Sequence, residues 1–440
     1  MKFLSVALLL LSAPSLVYSA YCNGSPDPNA APNKLPIVPS ANSLTYVKSV
    51  ENGMLFEANS GLSTSFHVTH LYGKTPYDNG YAHGRLLAAE MRAFYTDTYD
   101  YLATSIVAGY SPMYLPEWMV KKVAELGLDG AMDWTYDATV AFTDPAFYEE
   151  MQGLADGCGA DYTLIRRVHM LPEATKGSCS MFGASGSATA SGNLLQLRAL
   201  DWDVDGPFRD HTNVIVYHND DETLQSWANI AWAGFIGSVS GFNSAKLSIS
   251  EIGVSFPDDT FGEESRHGTP FVNMLRDILE KEDTFDGANS RVVNGARTCD
   301  LILGVGDAKT GQFNSIEYSY SVANLITSDN LMPVNSTWHA PIENVVYHGM
   351  DWLCPGYSLP LHDRLVANLG SLDAESAVSD VIAITQTGNL HIAVYDLAEG
   401  KAYLSFARKS EDDSNGEAKN AFARQFTEVD VTALFAQKYA

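Results

Sequence analysis

Cys179 stands in the run Lys176-Gly177-Ser178-Cys179-Ser180-Met181-Phe182, and nineteen residues further on comes Arg198-Ala199-Leu200-Asp201-Trp202. A cysteine attacks carbonyls as its thiolate, so it needs a base or a cationic neighbour. If the Ser178–Cys179 bond is cut, Cys179 gains a free α-amino group. That amine has an ordinary pKa of about 7.7–8.0, close to what a general base needs at neutral or mildly acidic pH. Nucleophile and base then lie in one residue, and no separate catalytic histidine is required. Arg198 would support the thiolate and the carbonyl side of a substrate, and Asp201 would orient the amine. Positions three apart on a strand face opposite sides, so one of the two must sit at a strand end or a bulge. A buried structural cysteine beside an incidental ion pair satisfies the spacing equally well.

Other chemical signals are weaker. Asp201-Trp202-Asp203-Val204-Asp205-Gly206 imitates the start of an EF-hand loop, but Thr212 holds the twelfth position where a glutamate is needed. His348 and Asp351 lie close enough in sequence to act as a pair, although a core or surface histidine is the commoner state. Gly183-Ala184-Ser185-Gly186 fails as a nucleophile elbow because Ser187 ends it. The sequence contains no His-Glu-x-x-His element, phosphate loop or dinucleotide fingerprint, so neither metal nor organic cofactor is expected.

Residues 1–19 read as a secretory signal: Lys2, an apolar stretch from Phe3, and Val17-Tyr18-Ser19 before the cut. No later stretch approaches the roughly 18 apolar residues of a membrane span. A secreted or lysosomal, non-integral protein is expected. An oxidising compartment permits disulfides. With five cysteines, two bridges among Cys22, Cys158, Cys299 and Cys354 would leave Cys179 free. Asn23 and Asn335 head glycosylation sequons. A net charge of -26 argues against nucleic acid as a partner. The 440 residues, 46% of them hydrophobic, can bury a large core in one domain or two tightly joined ones, and a homo-oligomer is left open.

The elements that must hold these residues fall into two parts. Residues 21 to 44 read as an extended or loosely docked Pro-, Asn- and Ser-rich arm. A strand is expected over Phe66–Leu71, and helices over Arg85–Leu102, Trp118–Leu126 and Pro145–Leu154. After Cys179 short strands dominate: 193–200, 213–218, 225–231, 245–249, 301–304, 315–320, 390–397 and 401–407. Helices are expected at 269–281, 364–369 and 375–382. Strands grouped with helices in this way suggest stacked α+β layers.

Seven short motifs occur in order: Gly73-x-x-Pro76-x-x-x-Gly80-x-x-x-Gly84; Glu150 to Gly157; Leu171-Pro172-Glu173; Gly177-Ser178-Cys179-Ser180; Arg198 to Trp202; Gly241-Phe242-Asn243-Ser244; and Gly268-Thr269-Pro270 with Leu275-Arg276-x-Ile278-Leu279. In this order the chain resembles the N-terminal-nucleophile (Ntn) hydrolases of the acyl-coenzyme A:6-aminopenicillanic acid acyltransferase family. It is more distantly similar to choloylglycine hydrolases and acid-ceramidase-like amidases. The resemblance runs over roughly residues 65 to 410. It implies a four-layer αββα sandwich, self-cleavage between Ser178 and Cys179, and hydrolysis of linear amides of N-acyl compounds through a thioester. Residues 20–178 would be a helical propiece that stays associated as the small subunit, and residues 179–440 the catalytic subunit. Asn243 would serve the oxyanion hole. Two departures stand out. Ala199 replaces the family's usual Asn, and His348-Gly349-Met350-Asp351-Trp352 stands where His-x-Asn-His-Phe is usual. His348 and Asp351 then become candidates for substrate or oxyanion contact. The missing Asn also keeps open a catalytically silent binding module, and a thiolate would attack lipid esters as well as amides.

Overall fold

The computed structural model describes residues 26–27, 29–40, 44–107, 117–175, 177–254, 266–352, 356–408 and 419–439. The expected signal sequence, Cys22, Asn23, Lys176 and Cys354 lie outside the described residues.

Sixteen strands are described, and they form two sheets. Ten make the larger sheet, in the order β1 (Leu44–Val50), β2 (Gly53–Ala58), β3 (Phe66–Leu71), β6 (Thr212–Tyr217), β7 (Trp227–Trp232), β8 (Gly241–Asn243), β9 (Leu247–Gly253), β10 (Asp300–Asp307), β11 (Gln312–Ser319) and β12 (Ala323–Ile326). The smaller sheet runs β13 (Val345–His348), β4 (Ser178–Ala184), β5 (Leu195–Asp201), β14 (His391–Asp396), β15 (Lys401–Phe406) and β16 (Thr427–Asp430). Neighbouring strands are antiparallel except β3 against β6. The sheets face each other through β4, β5, β9 and β11. Between them Gln196 bonds both Ser248 and Ser250, and glycines at 304 and 306 make room for Met181 and Gln196.

Helices cover the outer faces. α1 (Pro76–Leu86), α2 (Ala88–Val107), α3 (Glu117–Thr139), α4 (Pro145–Cys158), α5 (Tyr162–His169) and α6 (Leu171–Ala174) precede Cys179. α7 (Phe271–Lys281) and α8 (Phe285–Asn294) lie on the larger sheet. α9 (Ser358–Ala367), and a run of α10 (Ala374–Ser376), a π-helical turn (Ala377–Ile382) and α11 (Ala383–Thr385), cover the smaller one. There Leu361, Leu365, Val381 and Ile382 pack on Phe182, Leu197 and Val394. A last helix, α12 (Val431–Ala436), closes the described chain. The arrangement is the expected α+β stack of helix, sheet, sheet and helix.

The glycine-rich signature has a mechanical reason. A Cβ on Gly80 or Gly84 would enter the backbone of α4, and one on Gly153 or Gly157 would enter the backbone of α1. The two helices therefore touch main chain to main chain. Next to this seam Glu150 is fully buried, accepting from Tyr217 Oη at 2.7 Å and Arg276 Nη2 at 2.6 Å. The pair ties α4 to β6 and α7.

Several expectations need correction. The segment before Cys179 is mostly helical as expected, and besides the expected strand at Phe66–Leu71 it supplies β1 and β2 to the larger sheet. The helix expected over Arg85–Leu102 is two helices that part at Leu87. The arm, expected as extended or loosely docked, is docked at Val38, which exchanges backbone hydrogen bonds of 2.8 Å with Phe426 and Glu428. Cys158 is buried and in no disulfide, so the two bridges expected among four cysteines cannot both form. Cys158 is packed at the end of α4, and Cys299 Sγ lies 3.2 Å from Glu173 Oε2.

Candidate active site

Cys179 is the second residue of β4 and is 1% exposed. It pairs with Leu200 of β5, and Ser178 pairs with Asp201. This register brings together residues nineteen and more positions apart in sequence. Arg198 lies two residues along β5 from Leu200, and its Nη2 reaches Cys179 Sγ at 3.4 Å. The guanidinium is fully buried and held from three sides: Nη2 donates to Glu251 Oε2 at 3.0 Å, Nε to the Glu251 carbonyl at 3.3 Å, and Nη1 to His391 Nε2 at 3.0 Å. Ser240 Oγ lies 3.0 Å from the same imidazole nitrogen.

Asp201 ends β5 and takes another direction. Its carboxylate accepts from Thr387 Oγ1 at 2.5 Å, from the Gly388 N–H at 2.8 Å and from the Asn389 N–H at 3.0 Å. Thr387 is in turn 2.8 Å from Ser180 Oγ. The requirement that one of the Arg198–Asp201 pair sit at a strand end is met by Asp201. The residue two before Cys179 is clamped: Gly177 lies against the ring of Trp202, and its carbonyl presses so closely on Gly253 that a Cβ there would not fit.

Burial dominates the electrostatics of this site. Burial pushes the Cys179 thiol up to about 12, against the pull of Arg198. Burial also raises the Asp201 carboxyl to about 6, although its hydrogen bonds and Arg198 oppose the shift. Glu251 is raised by burial and pulled back by Arg198, and His391 is held well below its ordinary value by burial and then by Arg198.

A cavity of about 100 Å³ opens beside the thiol. Its wall is almost entirely carbon, including Phe94, Leu171, Phe208, Trp232 and Phe235, with Arg198 and Glu251 beside Cys179. Such a space can take an apolar group while a carbonyl meets the sulphur.

Three sequence candidates fall elsewhere. Asn243 ends β8, where its Nδ2 donates to the carbonyls of Leu279 (3.0 Å) and Glu282 (2.9 Å) and its Oδ1 accepts from the Leu247 N–H (2.9 Å). Its amide is spent on holding the end of α7 and does not line the cavity. His348 bonds Ser315 Oγ at 2.8 Å, and Asp351 accepts from the Gly356 N–H at 2.7 Å and from the Ser358 N–H at the start of α9. Neither joins the Cys179 cluster. Asn335 accepts from Thr337 within its own turn. Among the described residues no group of three or more His, Cys, Asp or Glu side chains could hold a metal ion. Glu251 and His391 were not anticipated. The available signal was a charged or ionisable residue inside an otherwise apolar or small-residue strand.

Over 432 residues the chain is 34% identical to protein dcd1A of Dictyostelium discoideum, covering 94% of each chain. The chain belongs to the dcd1 family. A second member from the same organism, protein dcd1B, is 30% identical over 408 residues, spanning 89% of this chain and 79% of its own length. No family profile matches the chain. Among solved structures it is similar to a Caenorhabditis elegans ortholog of N-acylethanolamine-hydrolyzing acid amidase (TM-score 0.39, 16% identity, 56% of this chain and 98% of that one). It is also similar to penicillin V acylase from Agrobacterium tumefaciens (TM-score 0.37, 12% identity, 59% of this chain and 88% of that one). The functional reading of this dcd1 family member rests on the site itself.

Proposed function

We propose that this dcd1 family member is a self-processing cysteine hydrolase of the N-terminal-nucleophile type, acting on linear amides of N-acyl compounds. The observation that carries the reading is the Arg198 contact to Cys179 Sγ at 3.4 Å, at the mouth of an apolar cavity and one peptide bond from a clamped Gly177-Ser178.

In the first event the Cys179 sulphur adds to the Ser178 carbonyl carbon, and the peptide nitrogen leaves as the amine once protonated. The resulting thioester to Ser178 is hydrolysed by water, which frees the Cys179 sulphur and its α-amine. In later turnovers the sulphur attacks a substrate amide, the α-amine carries the proton to the leaving nitrogen, and water releases the acid. Arg198 supplies positive charge to the sulphur and the developing oxyanion. Asp201, one ladder step from the cut, would take the new ammonium as partner.

The two halves would stay associated after the cut, because β3 pairs with β6 in one sheet and Glu150 is buried against Arg276. Export to a secretory or lysosomal compartment, with glycans on Asn23 and Asn335, belongs to the same proposal. So does action without a cofactor.

A binding module without catalysis is the second reading. The commitment of Asn243 to α7 favours it, since that residue was the expected oxyanion donor. Reducing mass spectrometry with N-terminal sequencing separates the two. A fragment beginning at Cys179, absent from Cys179→Ala, supports the hydrolase; a wild-type chain that stays whole favours the module. A lipid ester assayed beside an amide decides which carbonyl is used.

A further inference from the structure

We infer that His391 is a positioning residue of this site: its neutral imidazole accepts a hydrogen bond from Arg198, aims the guanidinium at the Cys179 sulphur, and carries no proton in the reaction. The inference rests on the reading of Cys179 as the nucleophile and adds a residue that acts on it through Arg198.

The strand register sets the geometry. Cys179 of β4 pairs with Leu200 of β5, and Leu200 pairs in turn with His391 of β14. Directly paired residues share one face of a sheet. Cys179 and His391 therefore stand on the same face, two strand spacings or about 10 Å apart. Arg198 lies two residues along β5 from Leu200, so it faces the same way. Its side chain bridges the interval, with Nη2 3.4 Å from Cys179 Sγ and Nη1 3.0 Å from His391 Nε2. The imidazole is linked to the sulphur through Arg198.

Chemistry fixes the direction of that link. A guanidinium offers only donors, so His391 Nε2 is the acceptor and the ring proton sits on Nδ1. Ser240 Oγ, 3.0 Å from the same nitrogen, must donate to it as well. Burial, and then the charge of Arg198, hold His391 well below its ordinary pKa and keep the ring neutral. A nitrogen committed to these two donors has no lone pair left for the proton of a thiol or an amine. The ring is 1% exposed and lies between Trp232 and Phe406, at centroid distances of 6.1 and 6.0 Å.

The guanidinium is flat, so its aim needs contacts on more than one side. Glu251 holds Nε and Nη2. His391 holds Nη1. Without His391 the group can pivot about Glu251 and carry Nη2 off the sulphur.

Two measurements test this. In the Cys179→Ala chain, two-bond proton–nitrogen NMR correlations report the form of each histidine ring, and the His391 signal is the one lost in His391→Gln. It should be the neutral Nδ1–H form at about pH 6.5, where an ordinary histidine is half charged. An Nε2–H form or a charged ring overturns the inference. In the chain that keeps Cys179, glutamine can present its Oε1 where Nε2 lies, whereas asparagine is too short to reach it. Cleavage of freshly synthesised chain at Cys179 should be about ten-fold slower in His391→Asn than in wild type, and His391→Gln should recover most of that loss. A merely structural need for a polar side chain would be met by both, so equal rates in the two variants overturn the inference. If the Asn variant fails to fold, the form of the ring alone decides. A wild-type chain that stays whole sinks the nucleophile reading by itself. The aim of Arg198 is then read from the rate at which methyl methanethiosulfonate modifies Cys179 in the whole chain. That rate should fall about ten-fold in His391→Asn and be largely recovered in His391→Gln, and equal rates again overturn the inference.

Discussion

Asp201 makes the stability of the uncut chain depend on pH in a way that can be calculated. Its folded-state pKa is raised from 3.8 to about 6, burial outweighing the Thr387, Gly388 and Asn389 donors. A raised folded pKa means the folded state favours the protonated form. The contribution of Asp201 is therefore fully present below pH 3.8 and is lost as pH climbs through about 6. The shift spans about 2.2 units (6 minus 3.8), and at 1.36 kcal/mol per unit it is worth roughly 3 kcal/mol. Asp201→Asn cannot ionise. It pays a fixed cost for turning an amide N–H toward groups that are themselves donors, but that cost does not vary with pH. Both chains would carry Cys179→Ala so that processing does not intrude, and both would be unfolded in denaturant at about pH 4 and about pH 7. The stability of the Asn variant relative to its parent should improve by up to roughly 3 kcal/mol between those conditions. Other titrating groups cancel in the comparison. A difference that stays flat, or that favours the parent as pH rises, would refute the reasoning and put Asp201 in a relaxed, ionised state throughout.

The same geometry makes three further predictions. In the native uncut chain Cys179 should resist iodoacetamide at neutral pH, because its thiol is buried and pushed up to about 12; rapid alkylation, read by peptide mass mapping, would contradict this. Asn243→Ala should lower stability by about 1–3 kcal/mol for each backbone group it orphans, yet leave the rate of cleavage at Cys179 unchanged, which a time course on denaturing gels reads directly. Gly153→Ala should abolish soluble folded protein, because the added methyl would enter the α1 backbone at Tyr77 and Tyr81 and overpacking between main chains has no side-chain remedy; circular dichroism and yield are the readout.

Much of the layout was legible in the sequence because its signals are local. The pattern of Phe66–Leu71 and the apolar runs after Cys179 specify strands within a few residues of their observed ends, whereas the threonine and proline at 75–76 open a helix that was expected only from Arg85. The pairing of Cys179 with Arg198 was also accessible, since two strands of one hairpin need only the right separation to face each other. The sequence could not place Asn243, because an amide that caps three backbone groups reads the same as one that awaits a carbonyl. It could not pair the cysteines, since pairing depends on distances between elements far apart in the chain. Nor could it reveal Glu251 and His391, which come from β9 and β14 and meet Arg198 only because two sheets stack and six strands order themselves across the chain. Residue types and spacing thus determined which atoms could react. Tertiary packing decided which of them share a cavity and which are already spent on hydrogen bonds, because burial and register are properties of the assembled layers.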